Sequence, residues 1–128
     1  MDKNAIKAKL SEAIDRRYDD IVRFGEAIFK EPELGFKENK TAQKVKALFD
    51  ELGIGYEEHL GITGIKGRIK GRQSRRTVAL LAELDAIVCR DHPDCDPVTG
   101  AAHCCGHNIQ LANLAAVAMA FFGGAHAL

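Results

Sequence analysis

The chain has 128 residues, 46% hydrophobic and 28% charged, which is one ordinary domain's worth of soluble, globular sequence. Lys and Arg number 18 and so do Asp and Glu, and a net charge of zero argues against nucleic acid or an anionic membrane as partner, since both attract a basic face. No apolar run reaches the length of a bilayer span, and the opening MDKNAIKAKLSEAIDRR lacks the apolar core of a signal peptide, so a cytoplasmic location is expected.

Thiols in the cytoplasm stay reduced, which makes the four Cys better ligands or buried apolar residues than disulfides. From the N-terminus, Leu10, Ile14, Tyr18, Ile21, Val22, Ile28 and Phe29 recur at spacings of three and four, which predicts a helix with one apolar stripe over residues 10–30. Pro32 ends it, and Glu31 to Gly35 reads as a turn. A second helix places Ala42, Val45, Leu48, Phe49 and Leu52 on one face, with Gly53 as its stop. Ile65, Gly67 and Ile69 alternate, which suggests a strand within residues 61–71. The run TVALLAEL (77–84) is apolar on both faces, as a central strand covered by helices would be. Residues 85–107 read as loop, and IQLANLAAVAMAFF (109–122) as a buried helix. The expected class is α/β, with helices packed on a mixed sheet.

The chemistry is concentrated in Thr99-Gly-Ala-Ala-His-Cys-Cys-Gly-His-Asn108, with Asp91, His92, Asp94, Cys95 and Asp96 just upstream. Thiolate and imidazole suit zinc and its first-row neighbours. In Cys105-Gly106-His107 the single Gly lets the backbone turn tightly enough for both side chains to serve one metal. A helix N-terminus there adds positive partial charge, which favours a thiolate or carboxylate. Three plainer readings stand beside this one. A closed structural zinc site normally carries paired CxxC spacings, and this chain has none. Cys104 and Cys105 also read as inert core thiols, and the acidic residues 91–96 as a solvated turn. Cys89 and Cys95 lack partner spacing and read as structural.

Pro32-Glu-Leu-Gly-Phe36, Leu80-Leu-Ala-Glu-Leu-Asp-Ala86 and His103-Cys-Cys-Gly-His-Asn108 stand in the order and approximate spacing of one family. The chain resembles the metallopeptidase superfamily of aminoacylases, carboxypeptidases and amidohydrolases, in the branch of hippurate hydrolases, auxin-conjugate hydrolases and aminobenzoyl-glutamate hydrolase. The resemblance covers nearly the whole chain. It implies that Cys105 and His107 bind metal in a centre of one or two ions, zinc or manganese or cobalt. It implies that Asp85 supports the site from the end of the central strand. Other branches carry a His ligand where this chain has Glu83. The branch often has Asp where this chain has Asn108, and His where it has Gln110. Cys104 stands where a small residue is usual.

The resemblance further implies a zinc-peptidase-like fold, of which residues 1–128 would be the N-terminal portion of the catalytic domain. The family's general base is the first of two adjacent glutamates downstream of the last helix. No such pair follows here, and Glu57-Glu58 lies upstream in the wrong context. The lid and dimerisation domain and the C-terminal part of the sheet are expected to lie outside this chain. The expected activity of the parent is metal-dependent hydrolysis of an amide bond in N-acyl amino acids or dipeptide-like small molecules. The family also allows a homo-oligomer. Two alternatives are an inactive truncated fragment and a non-catalytic metal-binding module built on His103, Cys104, Cys105 and His107.

Overall fold

A computed structural model describes residues 2–71 and 75–124. In chain order the elements are α1 (Lys3–Arg16), α2 (Tyr18–Phe29), α3 (Asn39–Leu52), β1 (Tyr56–Leu60), β2 (Gly64–Gly67), β3 (Ile87–Val88), β4 (Ala101–Ala102) and α4 (His107–Gly124).

The predicted first helix is in fact two. Arg17 leaves helical geometry, with φ −106° and ψ 13°. Its guanidinium binds Asp20 in the first turn of α2 at 2.7 Å and Glu51 near the end of α3 at 2.8 Å. Asp19 and Asp20 also complement the positive end of the α2 dipole. Periodicity cannot register this break, because the apolar stripe runs through it.

Helix α3 has no side-chain bond at its own cap residue; the turn ahead of it supplies the acceptor. The Glu33 carboxylate accepts from the Lys40 N–H (3.0 Å), the Thr41 N–H (2.7 Å) and the Thr41 hydroxyl (2.9 Å). Those amides would otherwise be orphan donors of the first turn. The helix ends as expected at Gly53, which takes the left-handed φ of 69°.

Helix α4 is the hub, packing on α1, α2 and α3. Gly25 permits the close approach of α2: a β-carbon there would lie 3.1 Å from Ala112 Cβ. Ile28, Val45, Phe49, Ile54, Leu111 and Ala118 form one core cluster, and Leu48, Ala115 and Met119 a second beside it. The expected buried helix is therefore central, although Ile109 and Phe121 remain exposed. Among the described residues no helix is long and apolar enough to cross a membrane.

The strand expected around Ile65 and Gly67 is β2, paired antiparallel with β1, which the sequence reading did not anticipate. The run 77–84 departs from expectation. It forms no strand; Val78 is 85% and Leu81 94% exposed, while Ala82 and Leu84 turn inward onto the core. A strand exists only through a ladder with a neighbour, and among the described residues no neighbouring strand pairs with this run. Instead of one mixed sheet there are two antiparallel pairs, β1–β2 and β3–β4, and one isolated parallel bridge, Leu34 to Ala86. The α/β character holds.

Candidate functional site

The site is built where residues 83–86 pass the N-terminus of α4. Two contacts fix that segment from the far side: the Ala86 N–H donates to the Glu33 carbonyl at 2.7 Å, and Leu34 bridges Ala86. The Pro-Glu-Leu-Gly turn and the Glu-Leu-Asp-Ala segment, far apart in sequence, are thus neighbours.

Beyond Ala86 the chain makes the β3–β4 hairpin, with Ile87 opposite Ala102 and Val88 opposite Ala101. Its loop is held by Asp96, whose Oδ1 accepts from the Val98 N–H (2.9 Å), the Thr99 N–H (2.6 Å) and the Thr99 hydroxyl (2.9 Å). The Thr99 amide, first among these donors, keeps the Asp96 carboxyl below the usual aspartate range. Asp96 is therefore a turn-former, as acidic loop residues often are. His92 is likewise structural: its Nδ1 accepts from the Asp94 N–H at 3.1 Å and its ring meets Phe29 edge-on at 6.1 Å.

The chain leaves β4 through His103, Cys104 and Cys105 and enters α4 at Gly106. Gly106 has φ 81°, a conformation that strains any side chain, and its carbonyl then accepts from the Ile109 N–H at 2.9 Å. This turn places His107 as the first residue of α4, 14% of its side chain exposed. His107 Nδ1 lies 2.8 Å from the Asp85 carbonyl oxygen and 3.1 Å from Asp85 Oδ1. Its Nε2 lies 2.9 Å from Glu83 Oε2. Both ring nitrogens thus face acceptors. Nδ1 must carry its proton to donate to Asp85, so Nε2 meets the Glu83 carboxylate only as an imidazolium N–H or across a cation.

Gln110, one turn into α4, braces the same carboxylate. Its Oε1 accepts from the Glu83 N–H at 3.1 Å and its Nε2 donates to Glu83 Oε2 at 3.4 Å. Sequence reasoning attached no role to Glu83 or Gln110. The signal was available: Glu83 stands two residues before Asp85, and Gln110 three after His107.

The remaining donors are arranged less closely. Cys105 is exposed and forms no hydrogen bond among the described residues. Cys104 is also exposed, and the Cys89 thiol, followed by burial and the thiols of Cys105 and Cys95, pushes its pKa up. His103 is 6% exposed and neither ring nitrogen has a partner. Burial lowers its pKa, His107 lowers it further, and Asp85 opposes them. Among the described residues no three His, Cys, Asp or Glu side chains converge as a ready-made metal cluster. The donor chemistry nonetheless fits a divalent ion. His107 is oriented through Nδ1 by a carboxylate and has Nε2 facing a negative group, as metal-bound imidazoles do. The same short stretch of chain carries the exposed Cys105 thiol and the buried His103 imidazole, whose ring nitrogens have no partner.

Comparison with known proteins gives the class. The chain is 30% identical over 128 residues to YhaA, a Bacillus subtilis protein named as an amidohydrolase, covering 98% of this chain and 32% of YhaA. It is 34% identical over 124 residues to thermostable carboxypeptidase 2 of Saccharolobus solfataricus, covering 94% of this chain and 30% of that protein. It is 31% identical over 99 residues to the N-acetylcysteine deacetylase of Bacillus subtilis, covering 72% of this chain and 25% of the enzyme. The chain spans about a third of the length of the first of these curated relatives. No family model matches, and no solved structure matches. These likenesses define a class of amide-bond hydrolases. Within it, nearly the whole of this chain is similar to a part of amidohydrolases and carboxypeptidases.

Proposed function

We propose that residues 1–128 form the N-terminal, metal-binding portion of the catalytic domain of an amidohydrolase acting on N-acyl amino acids or dipeptide-like small molecules. The observation that carries this reading is His107, fixed at Nδ1 by Asp85 while its Nε2 faces Glu83. That arrangement calls for positive charge at Nε2.

Cys105 and His107 would hold a divalent ion, zinc, manganese or cobalt, alone or as one of a pair. When bound, such an ion lowers the pKa of water and polarises a scissile carbonyl. Asp85 accepts the Nδ1 proton and so fixes the tautomer that leaves Nε2 as the donor atom. Glu83, held by Gln110, sets a carboxylate against that nitrogen. Gly106 turns the backbone so that Cys105 and His107 flank one bend.

The family's paired-Glu general base has no counterpart following α4 in this sequence. General acid–base catalysis contributes roughly a hundred- to ten-thousand-fold in rate, so the 128-residue chain alone is expected to bind metal without turning over amides. The test has two arms. The chain is titrated with zinc and manganese, and wild type should bind an ion that His107→Ala loses. A longer polypeptide carrying this segment should then hydrolyse N-acyl amino acids in a metal-dependent way. Metal binding unaffected by His107→Ala would overturn the site assignment. Metal-dependent turnover by the 128-residue chain itself would show that it carries a general base of its own.

A further inference from the structure

Glu83 is held more firmly than its position at the surface requires. Its side chain is 62% exposed, yet Gln110 grips the residue at both ends. Gln110 Oε1 accepts from the Glu83 N–H at 3.1 Å, and Gln110 Nε2 donates to Glu83 Oε2 at 3.4 Å. That same Oε2 stands 2.9 Å from His107 Nε2. Exposed polar pairs add little to stability, so folding alone does not account for a solvent-facing carboxylate fixed against an imidazole.

The spacing bears on what belongs between the two groups. His107 donates from Nδ1 to Asp85, so in the neutral ring Nε2 carries a lone pair. A lone pair and a carboxylate oxygen repel each other unless positive charge stands between them. First-row ions bind imidazole nitrogen and carboxylate oxygen at roughly 2.0–2.2 Å, so two donors at a right angle about one ion lie about 3 Å apart, and two at the tetrahedral angle about 3.4 Å. The 2.9 Å between Nε2 and Oε2 matches neighbouring ligands of one ion.

We propose that Glu83 is itself a ligand of the ion that His107 binds, and that Gln110 is the positioning residue that presents its carboxylate. The inference rests on the metal-binding reading above and adds an oxygen donor to the thiol and imidazole assigned there. Carboxylate oxygen suits manganese, whereas thiolate and imidazole favour softer first-row ions. Glu83 therefore makes the site more receptive to manganese than Cys105 and His107 alone would.

The experiment titrates the reduced 128-residue chain with manganese(II) and with cobalt(II), alongside Glu83→Gln, Gln110→Ala and His107→Ala. Glu83→Gln should weaken manganese binding at least about tenfold and cobalt binding less, and should shift the visible ligand-field bands of cobalt. Gln110→Ala should weaken both ions by about tenfold with those bands in place, as a residue acting through Glu83 would. Both side chains are exposed, so the metal-free variants should keep the wild-type circular dichroism signal. Were a proton rather than an ion shared between Nε2 and Oε2, the carboxylate would compete with metal for the imidazole. Glu83→Gln would then bind manganese as tightly as wild type or more tightly; that result, or cobalt bands that stay where they were in Glu83→Gln, would overturn the proposal. The two readings fail separately. Metal lost in His107→Ala but kept in Glu83→Gln refutes the Glu83 ligand alone. Metal binding indifferent to His107→Ala refutes the site, and this ligand with it.

Discussion

Asp85 holds His107 twice through the same ring nitrogen, by its carbonyl oxygen at 2.8 Å and its carboxylate at 3.1 Å. The backbone bond would survive any substitution, so the side chain's share can be isolated. Asp85→Ala should weaken metal binding by about 10- to 100-fold, the usual cost of removing a partner that orients a liganding imidazole. Asp85→Asn should cost less, since an amide oxygen still accepts from Nδ1. Competition against a chromophoric chelator measures both. Equal affinity in all three proteins would mean that the carboxylate has no part in orienting the ring.

Glu33 and Glu31 sit two residues apart and separate a cap from surface pairing. Glu33 satisfies two backbone amides of α3 and the hydroxyl of Thr41, which is fully buried. Glu31 pairs only with Lys40 and Lys44. Glu33→Ala should cost about 0.5–2 kcal/mol, as loss of a helix cap does. Glu31→Ala should cost at most about 1 kcal/mol, as exposed ion pairs do. Urea denaturation compares them, and a larger loss at Glu31 would reverse the assignment.

Loop 89–104 should loosen in acid through Asp96. The carboxyl is held below its ordinary value, chiefly by the Thr99 amide. A depressed carboxylate contributes stability that is fully present above its unfolded pKa, near 3.9, and that disappears as pH falls through the lower folded value. Asp96→Asn should therefore lower the melting temperature at pH 7, and the difference from wild type should shrink below about pH 4. Amide hydrogen exchange at Val98 and Thr99 reports the same change locally. A difference independent of pH would mean that the carboxylate charge is irrelevant there.

The exposed run 77–84 should make the chain self-associate. Val78 and Leu81 are open to solvent, and apolar residues presented together promote association. Leu81→Lys should shift sedimentation velocity profiles toward monomer and leave the helical circular dichroism signal unchanged. Unchanged association would place the sticky surface elsewhere, with Ile109 and Phe121 next to be tested.

What the sequence made legible follows from the range of the forces involved. Helices α3 and α4 and the stop at Gly53 depend on periodicity and local turn chemistry, and each appears where the residues suggest. The break at Arg17 depends on ion pairs to Asp20 and Glu51, the latter 34 residues away, which no local pattern carries. The run 77–84 shows the opposite failure. Its composition is that of a central strand, but pairing partners make a strand, and among the described residues it has none. At the site, Cys105-Gly-His107 and Asp85 stood out by residue type. The Glu83–Gln110 brace did not, because it joins two unremarkable polar residues across 27 positions. His103 was named as a donor, but its lack of any partner becomes visible only once its burial is known.

The central claim is that Cys105 and His107 bind one metal ion together. The direct measurement is cobalt(II) titration of the reduced chain, followed by its ultraviolet and visible spectrum. Thiolate suits such ions well and gives a charge-transfer band when it binds. Wild type should develop that band. Cys105→Ser should lose it, His107→Ala should weaken cobalt binding at least about tenfold, and Cys89→Ser should keep both band and affinity. A band that survives Cys105→Ser but vanishes with Cys89→Ser, or no cobalt binding at all, would contradict the claim.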